Sequence, residues 1–355
     1  MTFPLERYTR FNQTSGTTGA PLRWLDTPES WSWMVGNWER VFEAAGVNSS
    51  DHVFFAFSFG PFLGFWTSFD AALRRGCLAL PGGGMSTGGR LRTLLDNQAT
   101  VVCCTPTYAI RMGETARSEG IHLADGKVRA LIVAGEPGGS IPSTRKRIEE
   151  LWPGSRVFDH HGMTEVGPVS FESPTHPGVL HVIESSFIAE VLHPETLSPV
   201  EPGGIGELVL TNLGRVGSPL LRYRTGDIVN PVWDGERVFR RPELALVGGI
   251  LGRVDDMVIV RGVNVSPAAL EDVIRSRGDV AEYRVEISTL RGLTEMRVVI
   301  EPDGESIPGH DLRREIETAL RTAFSLRIPV QVVPPGSLPR FEMKAQRWVR
   351  VETHG

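Results

Sequence analysis

The stretch TSGTTGAP, residues 14–21, concentrates hydroxyl groups, backbone N–H groups and two glycines in a short span. Glycine lets such a loop bend so that successive N–H groups converge on an anion, and the hydroxyls add further donors. The stretch could therefore hold phosphate, although it matches neither the GK[ST] loop of P-loop NTPases nor the GxGxxG pattern. A flexible Ser/Thr/Gly linker explains the same composition equally well when the stretch is taken alone.

Two later stretches carry groups that suit a nucleotide. HGMTE follows a strand-like run and places the carboxylate of Glu165 beside the hydroxyl of Thr164, which suits a Mg²⁺ ion bound to phosphate. RYRTGD ends at Asp227, whose carboxylate can accept hydrogen bonds from both hydroxyls of a ribose. A solvated loop glutamate and a charged turn are the plain alternatives.

The chain has only three lysines among its 37 basic residues, Lys127, Lys146 and Lys344. This bias indicates that arginine replaces lysine wherever either side chain will serve, so a retained lysine raises the question of what arginine could not do. Drift explains Lys127 and Lys146. Lys344, in PRFEMKAQR, is the candidate for a role that needs a compact ammonium rather than a planar guanidinium.

Composition excludes several classes of function. A formal net charge of −5 without a basic stripe argues against a nucleic-acid partner. The apolar runs are too short to span a bilayer and the N-terminus has no apolar signal segment, so we expect a cytoplasmic protein without a membrane partner. Three cysteines and no CxxC pair predict buried free thiols and no zinc site.

Most of the chain alternates strand-like apolar runs with segments of helical periodicity. Buried strands are predicted at DHVFFAFSF, CLALPGG, ATVVCCTP, ALIVAG and RVFDHHG, and helices at 27–45, 90–97 and 143–152. This alternation predicts an α/β fold with a mostly parallel, doubly wound sheet, whose ligands bind beyond the carboxyl ends of the strands. Shorter alternating runs from about 177 to 231 predict a small β subdomain.

A second unit is predicted to begin within residues 249–256. Its order is a strand (DMVIVRG), a helix at 267–275, a hairpin (YRVEIST and EMRVVIEP), a helix at 310–324 and a strand (PVQVVPP). Such an order predicts a small α+β domain. We therefore divide the chain into an N-terminal domain, residues 1–251, and a C-terminal domain, residues 252–355.

In their order along the chain, the unusual stretches resemble the motifs of the adenylate-forming (acyl-CoA synthetase) superfamily, and above all its phenylacetate–CoA ligase branch. The resemblance rests on TSGTTGAP, CCTPTYA, AGEP, DHHGMTEVGP, GELVLT, RYRTGD, GRVDDMVIVRGVNVSP and PGSLPRFEMKAQR, which cover nearly the whole chain. Each motif alone is weak, whereas eight in the family's order are very specific. TSGTTGAP is then the phosphate loop rather than a linker.

The resemblance implies a two-step reaction. A carboxylate attacks the α-phosphate of ATP and releases pyrophosphate, leaving an acyl-adenylate, and a thiol, that of coenzyme A in this branch, then displaces AMP. Cations must neutralise the charge that develops during transfer, and the resemblance gives this task to Lys344 and to Mg²⁺ held by Glu165. Lys344 would lie on a mobile C-terminal domain that rotates about a hinge at Asp255.

The resemblance also implies the other site residues. Thr164 would meet the α-phosphate, Asp227 with Arg253 would hold the ribose, and Gly262 would lie where the pantetheine of coenzyme A passes. A simple strand-ending turn is the alternative for Gly262. The full set implied for ATP and AMP is Thr14, Ser15, Gly16, Thr17, Thr18, Gly19, Gly135, Glu136, Pro137, Asp159, His160, His161, Gly162, Met163, Thr164, Asp227 and Arg253.

The acyl pocket of relatives is lined by aromatic residues, and the corresponding positions here indicate the kind of acid. The implied pocket residues are Phe57, Phe62, Phe65, Tyr108, Ala134, Gly135, His160, Gly167 and Pro168. An aromatic slot suits an aryl carboxylate better than a long alkyl chain. A buried imidazole without a partner costs about 1–3 kcal/mol, so we expect His160 to hydrogen-bond a ring hydroxyl or amine, as in anthranilate, salicylate or hydroxyanthranilate. A hydrogen bond from His160 to the backbone is the alternative.

Three features depart from the family pattern. Few residues precede Thr14, so we expect an N-terminally shortened form. The stretch VWDGERVFRR lacks the cysteines that the branch often carries there, so zinc is not expected. The lysine that frequently ends the phosphate loop is Ala20, and Arg23 either replaces its charge or is a surface residue.

Alternatives to a coenzyme A ligase remain at this point. The adenylate could instead pass to a carrier-protein thiol, an amine or a hydroxyl in a biosynthetic pathway, and a homodimer is left open. A nucleotide-binding regulatory protein without catalysis is the alternative of a different class. The presence of Lys344 and Glu165 disfavours it.

Overall fold

A computed structural model describes residues 1–14, 21–233, 242–254, 258–261, 263–277, 279–290, 293–303, 309–341 and 345–351. The predicted site residues outside these ranges are Ser15, Gly16, Thr17, Thr18, Gly19, Asp255, Gly262 and Lys344, and the side chain of Phe65 is outside them as well. Among the described residues, no helix is long and apolar enough to cross a membrane.

A five-stranded parallel sheet forms the centre of the N-terminal part. Its strands are β3 (His52–Phe55), β4 (Leu78–Pro81), β5 (Val101–Cys104), β6 (Ala130–Val133) and β7 (Arg156–Asp159). They lie in the spatial order β4-β3-β5-β6-β7, and every pairing is parallel. β5 and β6 are buried along their whole length, which is why their sequences are continuous apolar runs. All five predicted strands are confirmed.

Helices cover both faces of this sheet, as the doubly wound prediction requires. They are α1 (Pro28–Ala44), α2 (Leu63–Arg74), α3 (Thr87–Asp96), α4 (Pro106–Ser118) and α5 (Pro142–Leu151). Consecutive residues of a strand point to opposite faces, so Phe55 packs in one core cluster with α1 and α2, and Phe54 packs in another with α3, α4 and α5. Short 3-10 helices occur at Leu5–Arg7 and Leu123–Asp125.

An antiparallel six-stranded sheet follows the parallel one. Its strands are β10 (Ser170–Glu172), β11 (Val179–Val182), β12 (Phe187–Leu192), β13 (Gly206–Asn212), β14 (Tyr223–Val232) and β15 (Ala245–Arg253), in the order β10-β11-β15-β14-β13-β12. The predicted β subdomain is therefore confirmed, and it extends on both sides of the predicted range 177–231.

Two hairpins lie beside these sheets and carry residues of the predicted site. One consists of β1 (Arg10–Gln13) and β2 (Arg23–Asp26), and the phosphate-loop stretch connects its strands. The other consists of β8 (Gly162–Met163) and β9 (Gly167–Pro168). Each of these antiparallel pairs holds the residues on either side of its connecting segment next to each other.

The C-terminal part has its own core cluster. Its elements are β16 (Val258–Val260), β17 (Val263–Val265), α6 (Pro267–Arg275), β18 (Val280–Leu290), β19 (Leu293–Pro302), α7 (Gly309–Phe324), β20 (Val330–Val332) and β21 (Trp348–Arg350). The predicted strand, helix, hairpin, helix and strand are all found in that order. Two strands were not predicted: β17, which pairs antiparallel with β16, and β21, an edge strand parallel to β18. Because β15 continues to Arg253, we propose a domain boundary between residues 253 and 258, slightly after the predicted division at 251.

Candidate active site

The hairpin of β1 and β2 closes the phosphate-loop stretch. Thr14 N–H donates to the carbonyl of Leu22 at 3.0 Å, and Leu22 N–H donates to Thr14 Oγ1 at 3.0 Å. Gln13 N–H donates to the carbonyl of Pro61 at 2.7 Å, which joins the end of β1 to the loop before α2. Thr14 thus lies at the base of the loop, next to the segment that carries the predicted aromatic pocket residues.

The hairpin of β8 and β9 places Thr164 and Glu165 in the turn between its strands. Gly162 permits this turn because a Cβ there would lie 2.9 Å from the carbonyl oxygen of Gly167. The half-buried Met163 packs against the main core cluster. Among the described residues, no hydrogen bond or ion pair engages the half-buried carboxylate of Glu165. A carboxylate with free acceptor capacity fits a divalent cation such as Mg²⁺.

Asp227 lies in β14 opposite Arg253 of β15, and its carboxylate contacts both Arg253 and His161. The Asp227 side chain is almost completely buried, with its Oδ2 3.0 Å from His161 Nε2. Its Oδ1 accepts a hydrogen bond from Arg253 Nη1 at 3.3 Å. Each carboxylate oxygen has two lone pairs, so Asp227 keeps acceptor capacity for further hydroxyl groups. The structure therefore brings three of the predicted nucleotide-binding residues together.

Asp159, at the carboxyl end of β7, is bound internally. Its Oδ2 accepts from Ser140 Oγ at 2.5 Å, and its Oδ1 accepts from His160 N–H at 2.9 Å. The neighbouring Glu172 accepts from Asp159 N–H and pairs with Arg145. Burial raises the pKa of the Asp159 carboxyl, and it raises the pKa of Glu172 to about 7 despite the adjacent guanidinium. Both carboxylates therefore already have protein partners at this end of the sheet.

His160 is buried between the two sheets. Its Nδ1 lies 2.6 Å from the carbonyl oxygen of Ser170, and its ring lies 4.3 Å from that of Trp38, measured between centroids. A carbonyl oxygen only accepts, so Nδ1 carries the proton and Nε2 is left as an acceptor. Burial lowers the pKa of the imidazole to about 3, so His160 is neutral near neutral pH. The backbone hydrogen bond expected in the alternative interpretation is present, and it uses only one of the two ring nitrogens.

The depressed pKa of His160 makes stability depend on pH in a defined direction. The unfolded chain binds a proton on this residue below its ordinary pKa of 6.5 and the folded chain does not, so stability is present above 6.5 and is lost as the pH falls. We expect acidification from about pH 7.5 to about pH 5 to lower the free energy of unfolding by roughly 2 kcal/mol through this residue. Urea denaturation of wild type and His160→Asn at both pH values tests this, because asparagine can still donate to Ser170. Equal acid dependence in the two proteins would contradict the prediction.

Aromatic rings gather where the acyl pocket was predicted. Phe57 lies 4.3 Å from Phe59, and Phe59 lies 4.9 Å from Trp66, measured between ring centroids. Phe62, half-buried, is the residue immediately before α2. Phe59 and Trp66 were not among the predicted pocket residues. Phe59 lies in the loop after β3 and Trp66 in the first turn of α2, and the sequence there does not show which rings contact one another.

Tyr108 is a correction to the predicted pocket. Its side chain is completely buried in the core cluster of α3, α4 and α5, and its hydroxyl accepts from Arg90 Nη1 at 2.5 Å. Phe57 packs against the cluster on the opposite face of the parallel sheet. The prediction that both rings line one pocket is therefore wrong, because the helix after β5 turns Tyr108 towards the other face.

The AGEP stretch follows β6. Its first residue, Ala134, is buried, and Gly135 after it is exposed. Gly135 has φ of +95°, a conformation that glycine adopts without strain. Gly135 and Pro137 are exposed at the predicted adenine side, whereas the carboxylate of Glu136 is used elsewhere. Its Oε1 accepts from Thr107 N–H at 2.9 Å and its Oε2 from Ala345 N–H at 2.7 Å.

Further contacts join the same two parts of the molecule. Ser143 N–H donates to Asp272 Oδ1 at 3.2 Å, and Arg147 Nη2 donates to Asp303 Oδ2 at 2.6 Å. Arg347 Nη1 donates to Thr107 Oγ1 at 3.3 Å. Helices α4 and α5 thus both contact the C-terminal part.

Known proteins match this chain along nearly its whole length. The AMP-binding enzyme family matches residues 11–214, and the AMP-binding enzyme C-terminal domain matches residues 262–350. The chain is 30% identical over 362 residues to a phenylacetate–coenzyme A ligase of Thermus thermophilus, covering 96% of this chain and 80% of that protein.

Two solved structures of 2-hydroxyisobutyryl-CoA ligase differ in how well they match. The ligase in the postadenylation state with 2-HIB-AMP superposes with a TM-score of 0.90 at 26% identity, covering 98% of this chain and 75% of that one. The ligase in the thioesterification state with 2-HIB-AMP and CoA superposes with a TM-score of 0.69 at 26% identity, covering 99% and 75%. The arrangement seen here is therefore closer to the postadenylation state. The chain belongs to the AMP-binding enzyme family, among the adenylate-forming relatives of the phenylacetate–coenzyme A ligases.

Proposed function

We propose that this chain uses ATP to activate an aryl carboxylic acid as its acyl-adenylate, with release of pyrophosphate, and then transfers the acyl group to the thiol of coenzyme A. The observation that carries the proposal is the buried carboxylate of Asp227, which contacts His161 at 3.0 Å and Arg253 at 3.3 Å. His161 directly precedes β8, the strand that leads into the Thr164–Glu165 turn. A carboxylate poised for hydroxyl groups and a turn with a free carboxylate suit a nucleotide with its phosphates. The relative named as a phenylacetate–coenzyme A ligase supports both the aryl acid and the acceptor.

Each of the proposed site residues has its own role in adenylyl transfer. Residues 14–19 hold the pyrophosphate, Thr164 donates to the α-phosphate, and Asp227 accepts from the ribose. The ammonium of Lys344 contacts the attacking carboxylate and the α-phosphate together, because charge develops between them in the transition state. Glu165 would hold Mg²⁺, which supplies positive charge beside the phosphate oxygens when bound. Asp255 as the hinge and Gly262 beside the pantetheine are part of the same proposal.

Several aromatic rings support an aryl substrate. The rings of Phe57, Phe59 and Trp66 contact one another beside the loop whose Pro61 carbonyl accepts a hydrogen bond from Gln13 N–H. Such rings pack against a flat aromatic acid in offset or edge-to-face geometry, which adds about 0.5–1.5 kcal/mol per pair beyond the buried area. A long alkyl chain gains only the area term, so we propose that aryl acids are preferred.

His160 extends the proposal to substituted benzoates. With Nδ1–H committed to Ser170, Nε2 accepts a hydrogen bond and does not donate one. An amine or hydroxyl on the ring supplies the matching donor, as in anthranilate, salicylate or hydroxyanthranilate, whereas plain benzoate does not.

Acid-dependent ATP–pyrophosphate exchange over a panel of benzoates tests this assignment. We expect the amino- and hydroxybenzoates to exceed benzoate and phenylacetate in kcat/KM. We expect His160→Phe, which has no acceptor nitrogen, to remove that preference while still exchanging pyrophosphate with benzoate. A wild-type protein that prefers benzoate or phenylacetate clearly would leave adenylation intact and overturn the role of His160.

Glu136 provides a prediction about the first half-reaction. Its carboxylate holds Thr107 N–H and the N–H of Ala345, the residue after Lys344, in an arrangement closer to the postadenylation than to the thioesterification state. In Glu136→Gln one of the two acceptor oxygens becomes an NH₂ group, which cannot accept a hydrogen bond from Thr107 N–H or Ala345 N–H. Losing one charge-assisted hydrogen bond of about 1.5–3 kcal/mol should slow adenylation roughly 10- to 100-fold.

Single-turnover measurements separate the two halves of the reaction for this variant. Adenylate formation should be slow, whereas transfer from supplied aryl-adenylate to coenzyme A should stay close to the wild-type rate. Equal slowing of both halves would show that Glu136 supports the fold generally and does not act on the first half-reaction.

A further inference from the structure

We propose that Arg215 is a positioning residue that couples the phosphate-loop hairpin to the Thr164–Glu165 turn, so that the pyrophosphate side and the α-phosphate side of the site move as one unit. The inference rests on the proposed function of those two segments. It concerns a completely buried side chain in the loop between β13 and β14.

The guanidinium of Arg215 joins three segments of the chain. Its Nε and Nη2 donate to Asp26 Oδ1 and Oδ2, each at 2.6 Å. Its Nη1 donates to the carbonyl oxygens of Thr164 and Glu165, each at 2.7 Å. Both Arg215 and Asp26 are completely buried, so water does not compete for these bonds.

The position of Asp26 explains what the contact transmits. Asp26 ends β2, whose first residue Arg23 pairs with Gln13 at the end of the hairpin that carries the phosphate loop. Four residue pairs join Asp26 to the end of the hairpin, and the hydrogen bond from Thr14 N–H to the carbonyl of Leu22 continues the ladder. Fixing Asp26 therefore fixes the end of the ladder opposite to Thr14. On its other side, Arg215 donates hydrogen bonds to the carbonyl oxygens of Thr164 and Glu165. These bonds hold the backbone of the turn from which the two side chains project.

The buried Arg215–Asp26 ion pair is better explained by the groups that it holds in place than by a gain in the stability of the fold. Removing two charges from water offsets most of their attraction, and well-packed apolar pairs often stabilise a fold as much or more. An apolar pair could not bind two carbonyl oxygens and one carboxylate in a fixed plane. Arginine can do so because its five N–H donors lie in a rigid fork, whereas lysine has a single nitrogen.

A second arginine in the chain supplies a matched control. Arg129 donates through Nε and Nη2 to the two carboxylate oxygens of Asp51, at 3.2 and 2.7 Å. It also donates to the carbonyl oxygens of Ala45 and Gly46, at 3.3 and 2.9 Å. Arg129, like Arg215, therefore binds one carboxylate and two carbonyl oxygens, although its side chain is 40% exposed. Its partners lie outside the candidate active site.

The test compares two apolar double variants, Arg215→Met/Asp26→Leu and Arg129→Met/Asp51→Leu, with wild type. The full chain is used, and calorimetry with MgATP in the absence of acid gives Kd. Pyrophosphate exchange with the best benzoate gives kcat and the Mg²⁺ concentration for half-maximal rate. We expect the Arg215 pair to raise Kd and the Mg²⁺ requirement about tenfold and to lower kcat 10- to 100-fold, while the Arg129 pair leaves all three within about twofold.

The outcomes distinguish this inference from the proposed function. If wild type shows no acid-dependent exchange, the proposed function fails, and Kd for MgATP still tests the coupling. Unchanged Kd and Mg²⁺ requirement in the Arg215 pair, or equal changes in both pairs, would overturn the inference. Arg215→Lys serves if the double variant does not fold: it keeps the charge but cannot make all four hydrogen bonds, so we expect a lower urea midpoint and, in the folded variant without urea, a higher Mg²⁺ requirement. A wild-type Mg²⁺ requirement in Arg215→Lys would also overturn it.

Discussion

Replacing Lys344 with alanine is expected to slow acyl-adenylate formation about 100- to 1,000-fold, the usual effect of removing one preorganised transition-state donor. ATP binding should change little, because the residues that we propose for the ribose and the pyrophosphate belong to the N-terminal part. Lys344 is outside the described residues, but the next residue, Ala345, is fixed by Glu136. It is also one of only three lysines in a chain that otherwise uses arginine.

The matched variant for this prediction is Lys344→Arg. A planar guanidinium keeps the charge but does not present a compact point charge to two oxygens at once, so we expect it to restore little of the lost rate. Pyrophosphate exchange gives the rate and calorimetry gives the Kd of ATP. An unaffected exchange rate in Lys344→Ala would remove this lysine from the mechanism.

Asp227→Ala is expected to lower kcat/KM for ATP about 100-fold or more, because two charge-assisted hydrogen bonds of about 1.5–3 kcal/mol each are lost. The same change leaves His161 Nε2 and Arg253 Nη1 without their carboxylate partner. The ribose assignment makes a more specific prediction. Wild type should prefer ATP to 2′-deoxy-ATP by about tenfold, the value of one such hydrogen bond, and Asp227→Ala should have lost this preference.

A steady-state comparison of the two nucleotides with both proteins completes this test. Thermal or urea unfolding of Asp227→Ala shows whether the fold is kept, since Asp227 is buried in β14. A variant that still discriminates against 2′-deoxy-ATP as strongly as wild type would assign the ribose hydroxyls to a different residue.

The fold was largely predictable because its strands are of the kind that sequence reveals best. β5 and β6 are buried on both faces and read as unbroken apolar runs, and α6 spans the predicted residues 267–275. The small strand β21 was not predicted, because three residues at the edge of a sheet have no distinctive pattern. Its existence depends on pairing with β18, which is distant in sequence.

The candidate site was predictable where chemistry is local to a motif. The hydroxyl and carboxylate of the Thr164–Glu165 turn and the carboxylate of Asp227 could be selected as candidates from residue type and order along the chain, and their roles remain predictions. The face on which Tyr108 packs could not be identified, because it depends on how α4 crosses the sheet. His160 is an intermediate case. Its burial was predicted, but the sequence did not show that Nδ1 is the ring nitrogen that bonds to the backbone.

Residues that act through others were missed altogether. Arg215 lies in TNLGRVGSP, where an arginine between two motifs reads as a loop charge, yet it is completely buried. Its partner Asp26 lies 189 positions away in sequence. Glu136 belongs to a predicted motif, but its carboxylate bonds to a residue 209 positions away. Hydrogen bonds between residues so far apart in sequence cannot be predicted from the spacing of residues within a motif.

The most direct test of the proposed reaction is product analysis by mass spectrometry with ATP, Mg²⁺ and the preferred aryl acid, with and without coenzyme A. With coenzyme A we predict stoichiometric AMP, pyrophosphate and aryl-CoA; without it we predict aryl-adenylate that remains bound and little AMP. AMP released at the same rate in both cases, with no thioester, would contradict the assignment of coenzyme A as acceptor. Absence of any AMP or adenylate that depends on the acid would contradict the activation step itself.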